Sequence, residues 1–549
     1  MRFTVDQRWF VDRIASAVAS RLYITEDTLD DMPFTENGGT AGFCATFGDD
    51  RAGAVGRTQP RAPSMTLTRK PSEIVASAEA SNNPGLLAKH NTWLRVDLGD
   101  IAEVLNGAPF SSQYFNMAGD GLPLIRIRDV GVDRPETFYS GPYSTAYLAT
   151  PGDILIGMDG DFRSSIWRGP ISLLNQRVCK ISVTNSKMYD DRFLLLAIQG
   201  YLDAIWVATS SITVKHLSSR SVAQIPLPLP PLAEQRRIVA VLEDHLSHLD
   251  AGAEQVHATL SRIDRYRERY IAAACTGSDR DHHGPSAEPP PFVGVQDGVM
   301  PNIPLSWRWA RLGEIAEVVG GLTKDVKKQI GSDYQTVPYL RVANVQRRHL
   351  DINDVATIRA PKAKIEQLKL QAGDVLLNEG GDRDKLARGW VWEDQLPLCI
   401  HQNHVFRARI RDQAIHPRLL AWHANNFGKS WAEANGKQSV NLASISLSKI
   451  RLLPVPIPPA EEQEALVARI EEQLANLDRL AASLKVTLMR ADQLRRSLLV
   501  EAFVGRLVPQ DPNDQPASVL LEHNRAERAE QPKPKRTRRA TPPIQETLL

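Results

Sequence analysis

At 549 residues the chain is too long for a single small module and leaves room for about three or four domains of ordinary size. With 42% hydrophobic and 24% charged residues it reads as globular, which excludes global disorder, a collagen-like fibre and a disulfide scaffold. A formal charge of +2, from 66 basic and 64 acidic residues, is too small to declare a nucleic-acid binder by bulk charge alone.

In chain order, residues 1–50 form a charged helical extension, beginning with FTVDQRWFVDRIASAVASRLYI, and 51–92 read as a linker. Residues 93–228 form a mixed α/β segment whose strand candidates are PLIRIRDV, GDILIGMDG and RVCKISVTN, separated by Gly, Pro, Asp and Asn turns. A long helix occupies 229–277, and 278–301 is a Gly-, Pro- and Asp-rich flexible linker. A second α/β segment at 302–456 carries VPYLRVANV, GDVLLNEGG and NHVFRARI, and a second long helix spans 457–508. The polar, basic end at 509–549 is expected to be disordered. No stretch reaches the roughly 18 to 20 apolar residues of a bilayer span, so we expect a cytoplasmic protein without a membrane partner.

The chain is duplicated. Ile225 to Asp250, IPLPLPPLAEQRRIVAVLEDHLSHLD, aligns with Leu453 to Asp478, LPVPIPPAEEQEALVARIEEQLANLD, at an offset of 228 residues. Upstream, LGDIAEV matches LGEIAEV, LPLIRIRDV matches VPYLRVANV, and PGDILIG matches AGDVLLN, with offsets drifting from 214 to 221. The unit is therefore a globular segment followed by a long helix, present twice. The segments differ in charge: 301–455 holds 23 basic against 15 acidic residues, whereas 94–225 holds 12 against 13.

Each long helix carries a seam with steps of four and three. Positions 242, 246, 249, 253, 256, 260, 263, 267, 270 and 274 hold Leu, Leu, Leu, Ala, Val, Leu, Ile, Arg, Tyr and Ala. Adding 228 gives Ile470, Leu474, Leu477, Ala481, Leu484, Leu488, Ala491, Arg495, Leu498 and Ala502, so the seam arginines Arg267 and Arg495 recur at equivalent places. Each helix opens after a Pro-Pro pair and stops near a glycine, Gly277 or Gly505. A long apolar stripe needs a partner. The regular seam favours pairing of the two helices, antiparallel, into a rod with a head at either end; the alternative is that each helix packs on its own globular segment.

Catalytic signatures are missing from the pattern. No phosphate-binding loop precedes Gly436-Lys437, and no glycine-rich strand-to-helix turn suits a dinucleotide or S-adenosylmethionine. No Asp or Asn followed by Pro-Pro-aromatic stands ready to hold an extruded base; Glu288-Pro-Pro-Pro-Phe292 comes nearest and sits in the linker. The acids of GDIL and GDVLLNEG lack the trailing acidic-x-Lys element of a metal nuclease and read as turn residues. Cys44, Cys179, Cys275 and Cys399 are scattered without metal spacing, as expected of buried thiols, and His282-His283 lacks companion ligands. We expect no metal and no cofactor on this chain, which binds and does not catalyse.

The tandem PLPPLAEQRRI and PIPPAEEQEAL helix entries, the paired GDIL and GDVL strands, and the LNQRVCKI (174–181) and HQNHVFRA (401–408) segments resemble those of specificity subunits of Type I restriction-modification systems, over about 94–510. The resemblance implies an α+β fold: two mixed α/β target recognition domains separated by two long helices that form an antiparallel coiled-coil spacer. It implies that each domain reads one half of a bipartite, asymmetric site on double-stranded DNA, with the helices fixing the gap. It also implies two modification (methyltransferase) subunits and restriction subunits as partners, which would carry S-adenosylmethionine, ATP and Mg²⁺. Residues 3–50 resemble the C-terminal helical piece of Type I restriction subunits, through Gln7-Arg8-Trp9, Phe34, Gly38-Gly39 and Phe47-Gly48. A fused or remnant segment and a private helical cap both remain open there.

Arginine suits guanine, Asn or Gln suits adenine, and Lys or Arg suits phosphate. The DNA-reading candidates are Arg126, Arg128, Asn175, Gln176, Arg177 and Lys215 in the first domain, and Arg341, Asn344, Arg383, Arg388, Gln402, Asn403, His404 and Lys437 in the second. Asn175-Gln176 and Gln402-Asn403 recur ahead of a strand in both domains, which points to a role in the fold. Candidates for docking partner subunits are Glu234, Gln235, Arg236, Glu462 and Gln463 on exposed helix faces, with N-terminal capping as the alternative. Two rivals are a single-chain methyltransferase-nuclease and a non-catalytic coiled-coil adaptor with two protein-binding heads.

Overall fold

The computed structural model describes residues 69–80, 85–208, 217–279, 286–323, 333–381, 385–438 and 443–530. The extension at 1–50 with Cys44, most of the linker at 51–92, Lys215, His282-His283, Arg383 and the tail from 531 lie outside the described residues. The chain divides into two compact units, 1–253 with 489–549, and 254–488, so the division falls within both long helices.

In the first unit Leu94–Asp97 pairs antiparallel with Pro226–Leu229. Two prolines deprive the latter strand of N–H donors, which suits a strand with one partner. The short helix Leu98–Ile101 leads into Ala102–Asn106, followed across an antiparallel sheet by Val178–Val183, Ile154–Gly157 and Ser164–Ile166. A second sheet holds Phe115–Asn116, Phe138–Tyr139, Leu122–Ile125, Ser172–Leu174 and Leu148–Ala149. Helix Asp191–Ala208 buries Phe193, Leu194, Ile198 and Leu202 in the main core.

The second unit repeats the plan. Arg308–Arg311 pairs with Pro454–Ile457, the helix Leu312–Ile315 follows, and Ala316–Gly320 opens a sheet continued by Val405–Ile410, Val375–Asn378 and Gly389–Val391. Tyr334–Leu340 pairs with Ala356–Pro361 and, in parallel, with Ile400–His401. The strands are mostly short and lie among helices, as the mixed pattern led us to expect. PLIRIRDV, however, is a strand only as far as Ile125. The Asp129 carboxylate accepts the Arg126 N–H at 2.8 Å and folds Ile127–Asp129 into a tight helical turn.

The long helices run Leu232–Thr276 and Ala460–Phe503. Every seam position is buried or half-buried. Within the first unit Arg237 bonds Asp514 and Arg495 bonds Asp250; within the second, Arg267 bonds Asp478 and Arg469 bonds Asp279. In each unit residues of the two helices and their extensions thus pair in opposite order. The Asp250·Arg495 and Asp478·Arg267 pairs are copies of one another at the 228-residue offset.

Two expected linkers and part of the tail are structured. Helix Pro71–Ala80 lies inside 51–92 and buries Ile74 and Val75. In 286–301, Val295 is buried, Gln296 and Asn435 exchange two hydrogen bonds, and Asp297 forms a two-pronged pair with Arg311. Helix Ala517–Glu530 adds Ala517 and Leu520 to the first core. In each case sparse apolar residues find a core that composition alone does not reveal. Cys179, Cys275 and Cys399 are buried free thiols, and burial pushes Cys179 and Cys399 up to about 12. Among the described residues no helix is long and apolar enough to cross a membrane.

Both long helices end on a left-handed glycine, Gly277 at φ +72° and Gly505 at φ +78°. A Cβ there would meet the Pro304 ring at 2.7 Å or the His90 ring at 2.8 Å. Gly277→Ala and Gly505→Ala should each destabilise by at least roughly 1–2 kcal/mol in denaturant unfolding. Gly252→Ala, inside the first long helix with nothing within 4 Å of its added Cβ, should stabilise by up to about 1 kcal/mol. Equal signs for the three variants would refute this assignment of helix ends.

Candidate nucleic-acid interface

The two units build the same platform from non-adjacent segments. In the first, Ala108 N–H donates to Leu174 and Gln176 N–H to Ala108, at 2.9 Å each, while Asn175 N–H reaches Ile125 at 3.3 Å. In the second, Leu322 N–H donates to His401 at 2.8 Å, Asn403 N–H to Leu322 at 3.0 Å, and Gln402 N–H to Leu340 at 2.9 Å. Gly107 and Gly321 permit this approach, because a Cβ at either would collide with the backbone carbonyls opposite. Two further bonds complete the match: Met158 N–H to Arg177 O and Glu379 N–H to His404 O, both at 2.9 Å.

These bonds gather several candidates. Arg126 follows Ile125 and so lies beside Asn175, Gln176 and Arg177, and Arg126, Arg128, Gln176 and Arg177 are exposed. Arg341 follows Leu340 and so lies beside Gln402, Asn403 and the exposed His404. Lys437, exposed, sits on Lys437–Gln438, which joins the same region through Ala443–Ser444 and Gly380–Gly381. The Asn-Gln and Gln-Asn backbones do hold the fold, leaving their side chains at the surface or half-buried.

Carboxylates that the sequence reading assigned no part flank these groups. Arg177 pairs with Asp159 at 3.3 Å, and His404 Nδ1 lies 2.6 Å from Glu379. Such exposed pairs contribute little to stability, on the order of 0–1 kcal/mol, but they restrict where a flexible side chain points. The signal lay in Asp159 and Glu379, the acids just beyond the GDILIG and GDVLLN strands.

Two of the candidates are buried rather than displayed at the surface. Asn344 is buried: its Oδ1 accepts the Arg341 N–H and its Nδ2 donates to Asp351 and Asp354, each at 2.9 Å, so it does what Asp129 does in the first unit. Arg388 is also buried, donating to Val345 at 3.1 Å and Val342 at 3.4 Å. The GDIL and GDVL acids act as turn locks: Asp153 takes the Thr150 N–H and pairs with Lys180, and Asp374 takes the Gln371 N–H and pairs with Arg409 through both oxygens. Among the described residues no group of three or more His, Cys, Asp or Glu is gathered as a metal site.

The family described as Type I restriction modification DNA specificity domain matches residues 90–259 and 304–487, one match to each repeat and more than half of the chain. The chain belongs to this specificity family. It is 34% identical over 463 residues to the Type I restriction enzyme EcoBI specificity subunit of Escherichia coli, across 82% of this chain and 95% of that protein. The EcoKI specificity subunit of Escherichia coli K12 is 22% identical over 470 residues, across 80% and 96%. A chain in a solved structure of a type I restriction-modification system shares the fold, with TM-score 0.55 at 18% identity, covering 76% of this chain and 99% of that one.

In this specificity-family chain the partner-docking candidates are mostly not exposed. Glu234 is 1% exposed, accepting from Trp93 Nε1 at 3.1 Å and Gln510 at 3.3 Å, and burial holds its carboxyl above the usual range. Gln235 is fully buried: its Nε2 donates to Met188 O at 3.0 Å and Pro230 O at 2.9 Å, and its Oε1 accepts the Asp190 N–H at 2.9 Å. Gln463 repeats this with Ala414 O, Pro458 O and the His416 N–H at 3.3, 3.0 and 2.6 Å. The expected exposure is therefore corrected, and neither glutamine caps its helix; each ties the helix to the globular segment. Arg236 is exposed and Glu462 half-buried.

His401, first residue of HQNH, is fully buried with Nδ1 2.7 Å from the Val405 carbonyl, and burial lowers its pKa from 6.5 to about 4. The unfolded chain therefore binds the proton more tightly, so this residue's stabilising share is complete above pH 6.5 and lost as pH falls toward 4. At pH 5 the loss is about 2 kcal/mol. His401→Gln should narrow the gap between melting temperatures at pH 7 and pH 5; an unchanged gap would show that His401 is protonated when folded.

Proposed function

We propose that this chain is the non-catalytic, sequence-reading subunit of a Type I restriction-modification complex. Each platform reads one half of a bipartite, asymmetric site in double-stranded DNA, and the two long helices, paired as an antiparallel coiled-coil spacer, fix the gap. The observation that supports this most is the duplicated platform, each copy offering Arg, Gln, Asn or His side chains from a backbone braced at Gly107 or Gly321. A braced backbone is what direct readout needs, since a bidentate contact tolerates little movement. The complex acts in the cytoplasm, where two modification subunits supply S-adenosylmethionine chemistry on adenine and restriction subunits supply ATP- and Mg²⁺-dependent steps. Named as specificity subunits of restriction enzymes, the relatives support the same assembly.

A modified-base map by long-read sequencing, in cells with and without this gene and with the modification subunit expressed, tests the reading. A two-part methyladenine motif with a fixed gap should vanish on deletion; identical maps would overturn it. Within a half-site, Arg177→Ala or His404→Ala should relax the preference at a single base position, whereas Arg126→Ala should weaken binding to all sequences and reduce the salt slope by about one if it meets phosphate. Competition binding at several salt concentrations separates the two outcomes.

A further inference from the structure

Gln235 and Gln463 stand at the same place in the two units, 228 residues apart, in the fourth residue of one long helix and the fourth of the other. Each makes three hydrogen bonds with one amide, tying its helix to the Pro-Pro entry just before it and to a loop of the domain. Its Nε2 donates to the carbonyl of the first residue of the Pro-Pro pair, Pro230 or Pro458. The same nitrogen donates to a carbonyl three residues before a domain helix, Met188 before Asp191–Ala208 or Ala414 before Pro417–Asn425. Its Oε1 accepts the N–H immediately before that helix, of Asp190 or His416.

Around the glutamine the helix base is held largely by apolar contact, through Ile238, Val239 and Leu242 in the first core and their counterparts Leu466, Val467 and Ile470 in the second. Glu234 bonded to Trp93 and Arg237 paired with Asp514 are further polar contacts of the first helix. Apolar burial is non-directional and lets a helix tilt or roll at small cost. Hydrogen bonds at three points fix direction. Only glutamine supplies two donors and one acceptor at this reach; glutamate would face two carbonyl oxygens with a buried charge, and methionine would leave all three backbone groups unmet. Tilt matters because the lever is long. A 45-residue helix spans about 67 Å, so a tilt of about 3° at its base displaces the far end by about 3.5 Å, the rise of one base pair.

We infer that Gln235 and Gln463 are positioning residues that set the gap between the half-sites, acting on the angle between each recognition domain and its helix and leaving the bases read unchanged. This rests on the two-head reading above. The test uses the full chain with its modification subunits in cells, comparing wild type with Gln235→Met, Gln463→Met and Gln463→Glu. The readout is methylation at paired half-sites separated by the native gap and by one base pair more or less. Each variant should keep both half-site sequences while its preference for the native gap falls by about tenfold or more, the scale a lost network of buried hydrogen bonds supports. Variants that melt at lower temperature yet keep the wild-type gap preference would overturn the inference and leave the glutamines a stabilising role only. Folded variants that lose all methylation would overturn it too, because the anchors would then be required for binding itself. A wild-type map without any two-part motif would instead defeat the underlying functional reading, which keeps the two failures apart.

Discussion

The physical constraint on which the rest depends is that each long helix begins inside the core of the domain it leaves. Leu242 and Ile470 are completely buried within their domains, and the strands that deliver the chain to the helices, Pro226–Leu229 and Pro454–Ile457, are buried along their whole length. Helix and domain therefore share one hydrophobic core and cannot be treated as head and handle joined by a hinge. Apolar burial supplies the adhesion, and the two proline pairs with a buried glutamine convert adhesion into a defined direction.

Comparison of the two copies separates scaffold from variable chemistry. The backbone bonds that join Ala108 or Leu322 to the segment opposite recur in both copies. So does the loop in which a side-chain oxygen takes an N–H three residues earlier, although Asp129 does this in one copy and Asn344 in the other. The exposed chemistry differs: one copy has an arginine held by Asp159 where the other has a histidine held by Glu379. Two surfaces of unlike character on one scaffold fit the proposed reading of an asymmetric site.

Much of the architecture was legible in the sequence because its signals are local. The 228-residue repeat, the four-and-three seam, the Pro-Pro entries and the terminal glycines locate both helices, with the expected starts three residues early and the expected ends one and five residues late. The site was less legible for a physical reason. Whether Arg388 faces solvent or caps the Val342 and Val345 carbonyls, and whether Gln235 reaches outward or back to Met188, depends on segments 40 to 50 residues distant in sequence. The Pro- and Gly-rich composition of 278–301 suggested a linker, yet Val295 and Asp297 found partners that composition cannot show.

The first unit is discontinuous, and this bears on the order in which the protein takes shape. Its core includes Ala502, Phe503, Val508 and Ala517 alongside Trp93 and Phe193, with Phe193 and Phe503 in edge-to-face contact. The second unit is one uninterrupted stretch, 254–488. During synthesis the later-numbered unit has all its residues while the earlier one still lacks part of its core. The amino-terminal domain is therefore the last to be completed, and a ribosome that stops near residue 500 releases a chain whose damage lies at the opposite end of the sequence from the missing residues.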